Sequence, residues 1–167
     1  MTTEGPMMRV PSALVLMLGL LLVPNAAALN EVIPGPEATF QGLTGAKVRL
    51  ADFNAKVVLL NFWGTWCMPC LQEIPELVRL ARQYRPRGLE VVGVAIDSGR
   101  PEDIRAFMAE HGMDYQVLIG DVSTAKRLFR VVGFPTSVLI DREGMIRKRY
   151  VGPQTEEVLR RDVAPLL

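Results

Sequence analysis

The feature that most constrains the fold is a nearly continuous apolar run at residues 56–63, which leads directly into a helical pattern. An unbroken apolar run is expected of a central strand that is covered on both faces. Beyond it, apolar residues recur at the spacing of one helix face, at Leu71, Ile74, Leu77, Val78 and Ala81. Residues 85–88, Arg-Pro-Arg-Gly, stop this pattern. We therefore expect a buried central strand that runs into an amphipathic helix.

The rest of the chain alternates between strand and helix patterns. Strand patterns cover residues 38–43, 47–52, 89–96, 115–119, 136–140 and 145–151. Helix patterns cover residues 101–110, 122–130 and 155–163. This alternation predicts one α/β domain over residues 29–167 with a largely parallel sheet, to which turns at 44–45 and 141–144 add antiparallel hairpins.

Both cysteines of the chain, Cys67 and Cys70, lie where the central strand meets the helix. On one helical turn their Cα atoms are roughly 5 to 6 Å apart, close enough for a disulfide. Cys67 is at the helix start, where unpaired N–H groups and the helix dipole favour a thiolate. We expect Cys70 to be more buried and less ionised. This asymmetry suits thiol–disulfide exchange, in which Cys67 attacks a substrate disulfide and Cys70 resolves the mixed disulfide.

Two other interpretations of the cysteine pair are considered. An inert structural disulfide would add little stability, because the loop that it closes is short. A zinc site needs further Cys or His ligands, and the chain has one histidine and no second cysteine pair. We expect no metal site and no cofactor.

Two segments resemble the thioredoxin superfamily, specifically its TlpA/ResA-like thiol-disulfide oxidoreductases. Residues 57–75, which contain Trp-Cys-Met-Pro-Cys, are similar to the active-site segment of that family. Residues 133–141, Gly-Phe-Pro-Thr-Ser-Val-Leu-Ile-Asp, are similar to its cis-proline loop and the following strand. The resemblance implies a thioredoxin-like fold: a central mixed sheet flanked by helices, with an N-terminal β-hairpin and an extra strand and helix inserted at about residues 115–130.

The resemblance also implies roles for individual residues. Pro135 is expected to form a cis peptide bond with Phe134 and to pack beside the cysteines, while the Phe134 backbone pairs with an extended substrate chain. Glu73 follows Cys70 by three residues on nearly the same helix face, and in the family this glutamate assists proton transfer. Without that support, Glu73 is an ordinary solvated helix residue.

Two further residues complete the expected site. Asn61 stands mid-strand where ordinary thioredoxins have a buried acid, and because an amide does not titrate, Glu73 becomes the proton partner. The simpler interpretation of Asn61 is a hydrogen-bonded core amide. Trp66 is expected to pack against the cysteine pair and to line the docking surface, whereas Trp63 is expected in the core.

The N-terminal 28 residues have the pattern of an export segment. A weakly positive start precedes twelve apolar residues at 12–23, Pro24, and a small-residue end at 26–28. This order is typical of a signal peptide cleaved after Ala28, and the alternative is an uncleaved membrane anchor. Both place the domain outside the cytoplasm, in the periplasm or at the outer face of the cytoplasmic membrane.

Charge and composition exclude several function classes. Nineteen Lys and Arg residues against eighteen Asp and Glu residues give a net charge of +1, which argues against a nucleic-acid partner. One histidine leaves little basis for a Cys-His or Ser-His-Asp catalytic arrangement. We expect a monomer with protein partners that carry disulfides or thiols.

These observations predict a reductase of specific protein disulfides, of the type that serves cytochrome c maturation or copper-site assembly. Because the outside compartment is oxidising, such a reductase would be recharged by a membrane-embedded electron donor. A disulfide oxidant or isomerase is the first alternative. A thiol peroxidase would want Thr or Ser three residues before the reactive cysteine, where Gly64 stands. A copper-handling module would want ligands beyond the two thiolates.

Overall fold

The computed structural model describes residues 1–2 and 33–167. The predicted export segment therefore lies almost wholly outside the described residues, and both its cleavage and its use as an anchor stay predictions. Among the residues described, no helix is both long enough and apolar enough to cross a membrane.

The described chain folds into one eight-stranded sheet with four α-helices. The strands are β1 (Ile33–Pro34), β2 (Thr39–Gly42), β3 (Lys47–Arg49), β4 (Val57–Trp63), β5 (Leu89–Ile96), β6 (Gln116–Gly120), β7 (Thr136–Ile140) and β8 (Met145–Val151). The helices are α1 (Met68–Tyr84), α2 (Pro101–Glu110), α3 (Val122–Phe129) and α4 (Glu156–Val163). Short 3-10 helices cover Leu50–Phe53, Arg85–Arg87 and Ala164–Leu166. The strand order is β1-β8-β7-β4-β5-β6-β2-β3.

Strand β4 is the centre of the sheet, as its apolar sequence predicts. All seven of its residues are buried, and it pairs in parallel with β5 and antiparallel with β7. Residues of α1, α2 and α4 pack in the core on one face of the sheet, and residues of α3 pack in the core on the other. The end of β4 is thereby fixed from both sides, and α1 starts five residues after it.

The sheet is mixed, so the expectation of a largely parallel sheet is wrong. Only β4–β5 and β5–β6 pair in parallel, while the other five pairings in the described chain are antiparallel. The physical reason is that strands joined through a helix are not always neighbours. The connection from β6 through α3 reaches β7 on the far side of β4, and β7 runs against β4.

The N-terminal hairpin is present, but its second strand is shorter than predicted. Strand β3 ends at Arg49 rather than at Asp52, and a 3-10 helix follows. The backbone N–H of Arg49 donates to the Asp52 carboxylate at 2.9 Å, and this local hydrogen bond competes with strand pairing. The strand and helix expected at about residues 115–130 are present as β6 and α3.

Candidate active site

Cys67 and Cys70 form a disulfide at the start of α1. Their Cα atoms are 5.3 Å apart, within the range that the three-residue spacing predicts. Cys67 is the residue that caps α1, and the Cys70 N–H donates to the Cys67 carbonyl at 3.0 Å. Both side chains are buried, with 4% of Cys67 and 2% of Cys70 exposed. In the disulfide state, the expected difference in their burial is therefore small.

In the segment around the cysteine pair, the start of helix α1 is the feature that stabilises a thiolate. Residues 64–72 contain no charged side chain. The N-terminus of α1 carries unpaired N–H groups and the positive end of the helix dipole, which favour a thiolate at Cys67. The pair is thus arranged for thiol–disulfide exchange without a cationic neighbour in its own segment.

Trp66 immediately precedes Cys67 in the chain, and about half of its surface is exposed. Its indole Nε1 donates to the carbonyl of Ile96 at 3.1 Å. Its ring meets the ring of Phe134 edge to face, with centroids 5.5 Å apart. A Cβ atom placed on Gly64 would lie 2.6 Å from the Trp66 ring, so the ring occupies the space above Gly64. These contacts join the turn that carries Cys67 to the loop that carries Phe134.

The peptide bond between Phe134 and Pro135 is cis, as the resemblance implies. Pro135 is buried, and its carbonyl accepts a hydrogen bond from the backbone N–H of Gly152 at 2.9 Å. The Thr136 hydroxyl donates to the Gly133 carbonyl at 2.7 Å. Phe134 packs partly buried against the core cluster that contains both cysteines. The loop is therefore fixed at its base, and Phe134 joins it to the core cluster that includes the disulfide.

Glu73 is buried beneath the site rather than solvated, with 1% of its surface exposed. Its Oε2 accepts a hydrogen bond from Nδ2 of Asn61 at 2.8 Å, and its Oε1 accepts one from the backbone N–H of Gln154 at 3.1 Å. Burial raises the pKa of Glu73 to about 7, against the opposing effect of these two hydrogen bonds. A carboxyl group that titrates near neutral pH, one helical turn from Cys70, is suited to exchange protons with a thiol.

Asn61 is the hydrogen-bonded core amide that the sequence suggested, and its partners place it in the site. Besides Glu73, its Nδ2 donates to the hydroxyl of Ser137 on β7 at 2.9 Å. Sequence analysis missed both Ser137 and Gln154. Ser137 lies inside the quoted segment 133–141 and faces Asn61 because the two are register partners in β4 and β7. Gln154 contributes a backbone N–H, for which no sequence signal exists.

Trp63 and the expected absence of a metal site concern parts of the chain outside this group of residues. Trp63 is buried in the core and stacks on Phe107 at 5.2 Å, as expected. In the described part of the chain, no group of three or more His, Cys, Asp or Glu side chains is placed to hold a metal ion.

Comparisons with known proteins agree with this geometry. The model of the AhpC/TSA family matches residues 33–149. The chain is 34% identical to the thiol-disulfide oxidoreductase ResA of Bacillus thuringiensis subsp. konkukian, over 74% of this chain and 71% of ResA. It is 34% identical to the thioredoxin-like protein YneN of Bacillus subtilis, over 77% of this chain and 76% of YneN. A crystal structure of a thioredoxin-family thiol:disulfide interchange protein from Chlorobium tepidum superposes with a TM-score of 0.70 at 28% identity, covering 81% of this chain and 96% of that one.

Proposed function

Because this chain belongs to the AhpC/TSA family and is a thiol-disulfide oxidoreductase of the ResA type with a thioredoxin-like fold, we propose that it reduces specific protein disulfides outside the cytoplasm. The observation that carries this proposal is the Cys67–Cys70 disulfide at the start of α1 with the buried carboxyl group of Glu73 one turn further on.

The surroundings of the cysteines support reduction rather than oxidation of substrates. A strong disulfide oxidant has a reduced form that is especially stable. Here residues 64–72 contribute no positive charge to a thiolate. When Glu73 is ionised, its negative charge near Cys70 disfavours a second negative charge there. Apart from the helix start, which favours the Cys67 thiolate, this segment adds nothing that stabilises the reduced form, so we expect the pair to give up its electrons readily.

The reaction transfers two electrons through a mixed disulfide. The Cys67 thiolate attacks one sulfur of the substrate disulfide, which forms the Cys67–substrate bond and releases the other substrate sulfur as a thiolate. The Cys70 thiol then loses its proton to the Glu73 carboxylate, and the resulting thiolate attacks the Cys67 sulfur. This step forms the Cys67–Cys70 disulfide and releases the second substrate thiolate, so the substrate is reduced and the enzyme pair is oxidised.

Three residues around the pair are proposed to bind the substrate chain. The Phe134 backbone pairs with an extended segment that carries the substrate disulfide, as in strand addition. Pro135, with its cis peptide bond, is proposed to hold this loop beside the cysteines, and the half-exposed ring of Trp66 to supply an apolar surface. Asn61 supports the site from below through its hydrogen bond to Glu73.

The place of action and the partners rest on the sequence. The apolar segment at residues 12–28 supports export, followed either by cleavage after Ala28 or by retention as an anchor. Outside the cytoplasm a reductase needs a source of electrons, for which we propose a membrane-embedded donor. We further propose that the protein acts as a monomer and that its substrates belong to cytochrome c maturation or copper-site assembly, the substrate class that the resemblance implies.

Two alternatives make different demands on the same site. An oxidant or isomerase would use the same two cysteines and differs in the reduction potential of the pair. A thiol peroxidase would want a hydroxyl-bearing side chain at position 64. There the Trp66 ring occupies the space that the Cβ atom of Thr or Ser would need.

The mechanism is tested by a matched pair of variants. Cys70→Ser retains the attacking thiol but cannot resolve the mixed disulfide, so it should accumulate covalent complexes with substrate proteins. Cys67→Ser removes the attacking thiol, so it should form none and should lose reductase activity. The complexes are counted on non-reducing gels of extracts from cells that express each variant. Full turnover by Cys70→Ser would contradict the two-cysteine mechanism.

A further inference from the structure

The two oxygen atoms of Glu73 have hydrogen-bond partners of different kinds. Oε1 faces the backbone N–H of Gln154, which can only donate. Oε1 is therefore favoured as the unprotonated oxygen, because a carbonyl oxygen accepts this hydrogen bond better than a protonated oxygen does. Oε2 faces the side-chain amide of Asn61, which has a donor end and an acceptor end. A half-turn of this amide would present its oxygen to Oε2, so Oε2 is the oxygen that has a partner both with and without a proton.

Ser137 makes this reversal of Asn61 feasible. In the structure, both hydrogen bonds of Asn61 are donated by Nδ2, one to Glu73 and one to the Ser137 hydroxyl. This is the arrangement suited to an ionised Glu73. A hydroxyl can also donate. After the amide turns, Oδ1 of Asn61 can accept from a protonated Glu73 and from Ser137 together, while Nδ2 moves to the position that Oδ1 held.

The side chains of Glu73, Asn61 and Ser137 must supply one another's hydrogen-bond partners, because they are buried. Glu73, Asn61 and Ser137 are each at most 2% exposed, and buried polar groups need hydrogen-bond partners inside the protein. Burial and the two hydrogen bonds already described account for the pKa of Glu73 in the described chain. Tyr115, which lies just before β6, is the titratable group that interacts with Glu73. Burial and the charges of Glu73 and Asp114 raise the pKa of Tyr115, so its hydroxyl stays neutral.

We propose that the side chains of Asn61 and Ser137 reverse their hydrogen bonds whenever Glu73 gains or loses a proton, and that the proton resides on Oε2. Ser137 is then a positioning residue that acts on the cysteine chemistry through Glu73. Only its catalytic meaning rests on the proposed function, because the reversal itself occurs in the disulfide form without substrate.

The assignment of the proton to Oε2 has a consequence for the docking loop. Oε1 keeps its hydrogen bond to Gln154 in both states of Glu73. Gln154 lies two residues after Gly152, which holds the Pro135 carbonyl. The hydrogen bonds that hold the cis-proline loop should therefore stay the same when Glu73 gains or loses a proton.

The first test needs no variant. In the oxidised wild-type protein, nuclear magnetic resonance follows the Glu73 carboxyl carbon, the Asn61 side-chain amide and the Gln154 backbone amide from pH 4 to 9. We expect the Asn61 amide to titrate with the same midpoint as Glu73 and with a larger change in shift than Gln154. A silent Asn61 amide, or a Gln154 signal that changes more than that of Asn61, would overturn the proposal.

The second test removes the Ser137 hydroxyl and compares the effect with that of removing the hydroxyl of the neighbouring residue, Thr136. In Ser137→Ala, one N–H of Asn61 has no partner when Glu73 is ionised, whereas the protonated state loses only a second hydrogen bond to a carbonyl. The Glu73 midpoint should therefore rise by roughly half to one pH unit. Thr136→Val removes the neighbouring buried hydroxyl, which donates to Gly133, and should leave the midpoint unchanged.

The outcomes separate this proposal from the proposed function. Equal midpoints in Ser137→Ala and Thr136→Val would contradict the role of Ser137. If Ser137→Ala does not fold, the wild-type titration decides alone. Both measurements use the disulfide form without substrate, so a failed reductase assay would leave them standing, and a normal assay would not rescue them.

Discussion

At the scale of single residues, Glu73 connects the fold to the chemistry. A carboxyl group with 1% exposure is unusual for a residue type that is rarely buried. It is tolerated here because Asn61 and Gln154 each donate a hydrogen bond to it. The remaining cost of burial appears as a pKa raised to about 7, which lies in the range useful for proton exchange near neutral pH.

Replacement of this carboxyl group predicts a change in how stability depends on pH. Unfolded Glu73 ionises near its ordinary value of 4.5, whereas the folded protein holds the proton up to about pH 7. Wild-type stability should therefore fall relative to Glu73→Gln as the pH rises from about 4.5 to 7, by on the order of 3 kcal/mol. Urea unfolding of both oxidised proteins across this window measures the difference. Parallel curves would show that Glu73 titrates normally.

The same variant tests the proton role in catalysis. Without a group that titrates near pH 7 next to Cys70, the pH profile of thiol alkylation should lose the inflection that Glu73 contributes. Alkylation rates of the reduced wild type and Glu73→Gln between pH 5 and 9 supply the comparison. Superimposable profiles would remove Glu73 from the proton transfer.

The residues that sequence could identify are those whose side chains have a distinctive type and spacing. Cys67 and Cys70 could be identified by their spacing, and Phe134 and Pro135 could be identified through the resemblance to the family. The burial of Glu73 could not be predicted, because its partners lie 12 and 81 residues away along the chain. Ser137 lies 76 residues from Asn61, and only strand pairing brings them together.

At the scale of elements, local patterns were sufficient where one element determines its own limits. The bounds of β5, α2, β7 and β8 are those that the sequence predicts. Helix α1 begins after Cys67 and ends before Arg85, close to the predicted limits. The shortened β3 shows where such patterns fail, since a side-chain hydrogen bond ended a strand that the apolar pattern would have continued.

Helix α3 offers a test of an element that contributes no residue to the cysteine site. The Asp121 carboxylate caps it by accepting a hydrogen bond from the Thr124 N–H at 2.8 Å, which also lowers the pKa of Asp121 to about 2. Asp121→Ala should lower the free energy of unfolding at pH 7 by about 1 kcal/mol. Asp121→Asn retains a capping oxygen and should cost much less.

Chemical denaturation of the two variants, together with a reductase assay, checks this prediction. The assay should be unchanged, because α3 contributes no residue to the site described above. An alanine variant as stable as the asparagine variant would mean that the cap contributes nothing to stability.

At the scale of the whole molecule, the strand order determines what meets at the site. Because β7 lies beside β4, Ser137 pairs with Asn61, and the cis-proline loop comes to the end of β4 that leads to α1. Alternation of strands and helices predicted the α/β class, but it could not predict that β6 and β7 lie on opposite sides of β4. The strand order depends on contacts between segments that are distant in the sequence. The mixed sheet was therefore predicted from the family resemblance and not from the hydrophobic periodicity.

The reduction potential of the Cys67–Cys70 pair decides whether the pair acts as a reductant of substrate disulfides. The oxidised and reduced forms are equilibrated in dithiothreitol or glutathione buffers of known potential, and the fraction of disulfide is measured after acid quenching and thiol labelling. We expect a potential near that of thioredoxin, about −270 mV. A value near that of a strong disulfide oxidant, about −120 mV, would contradict it.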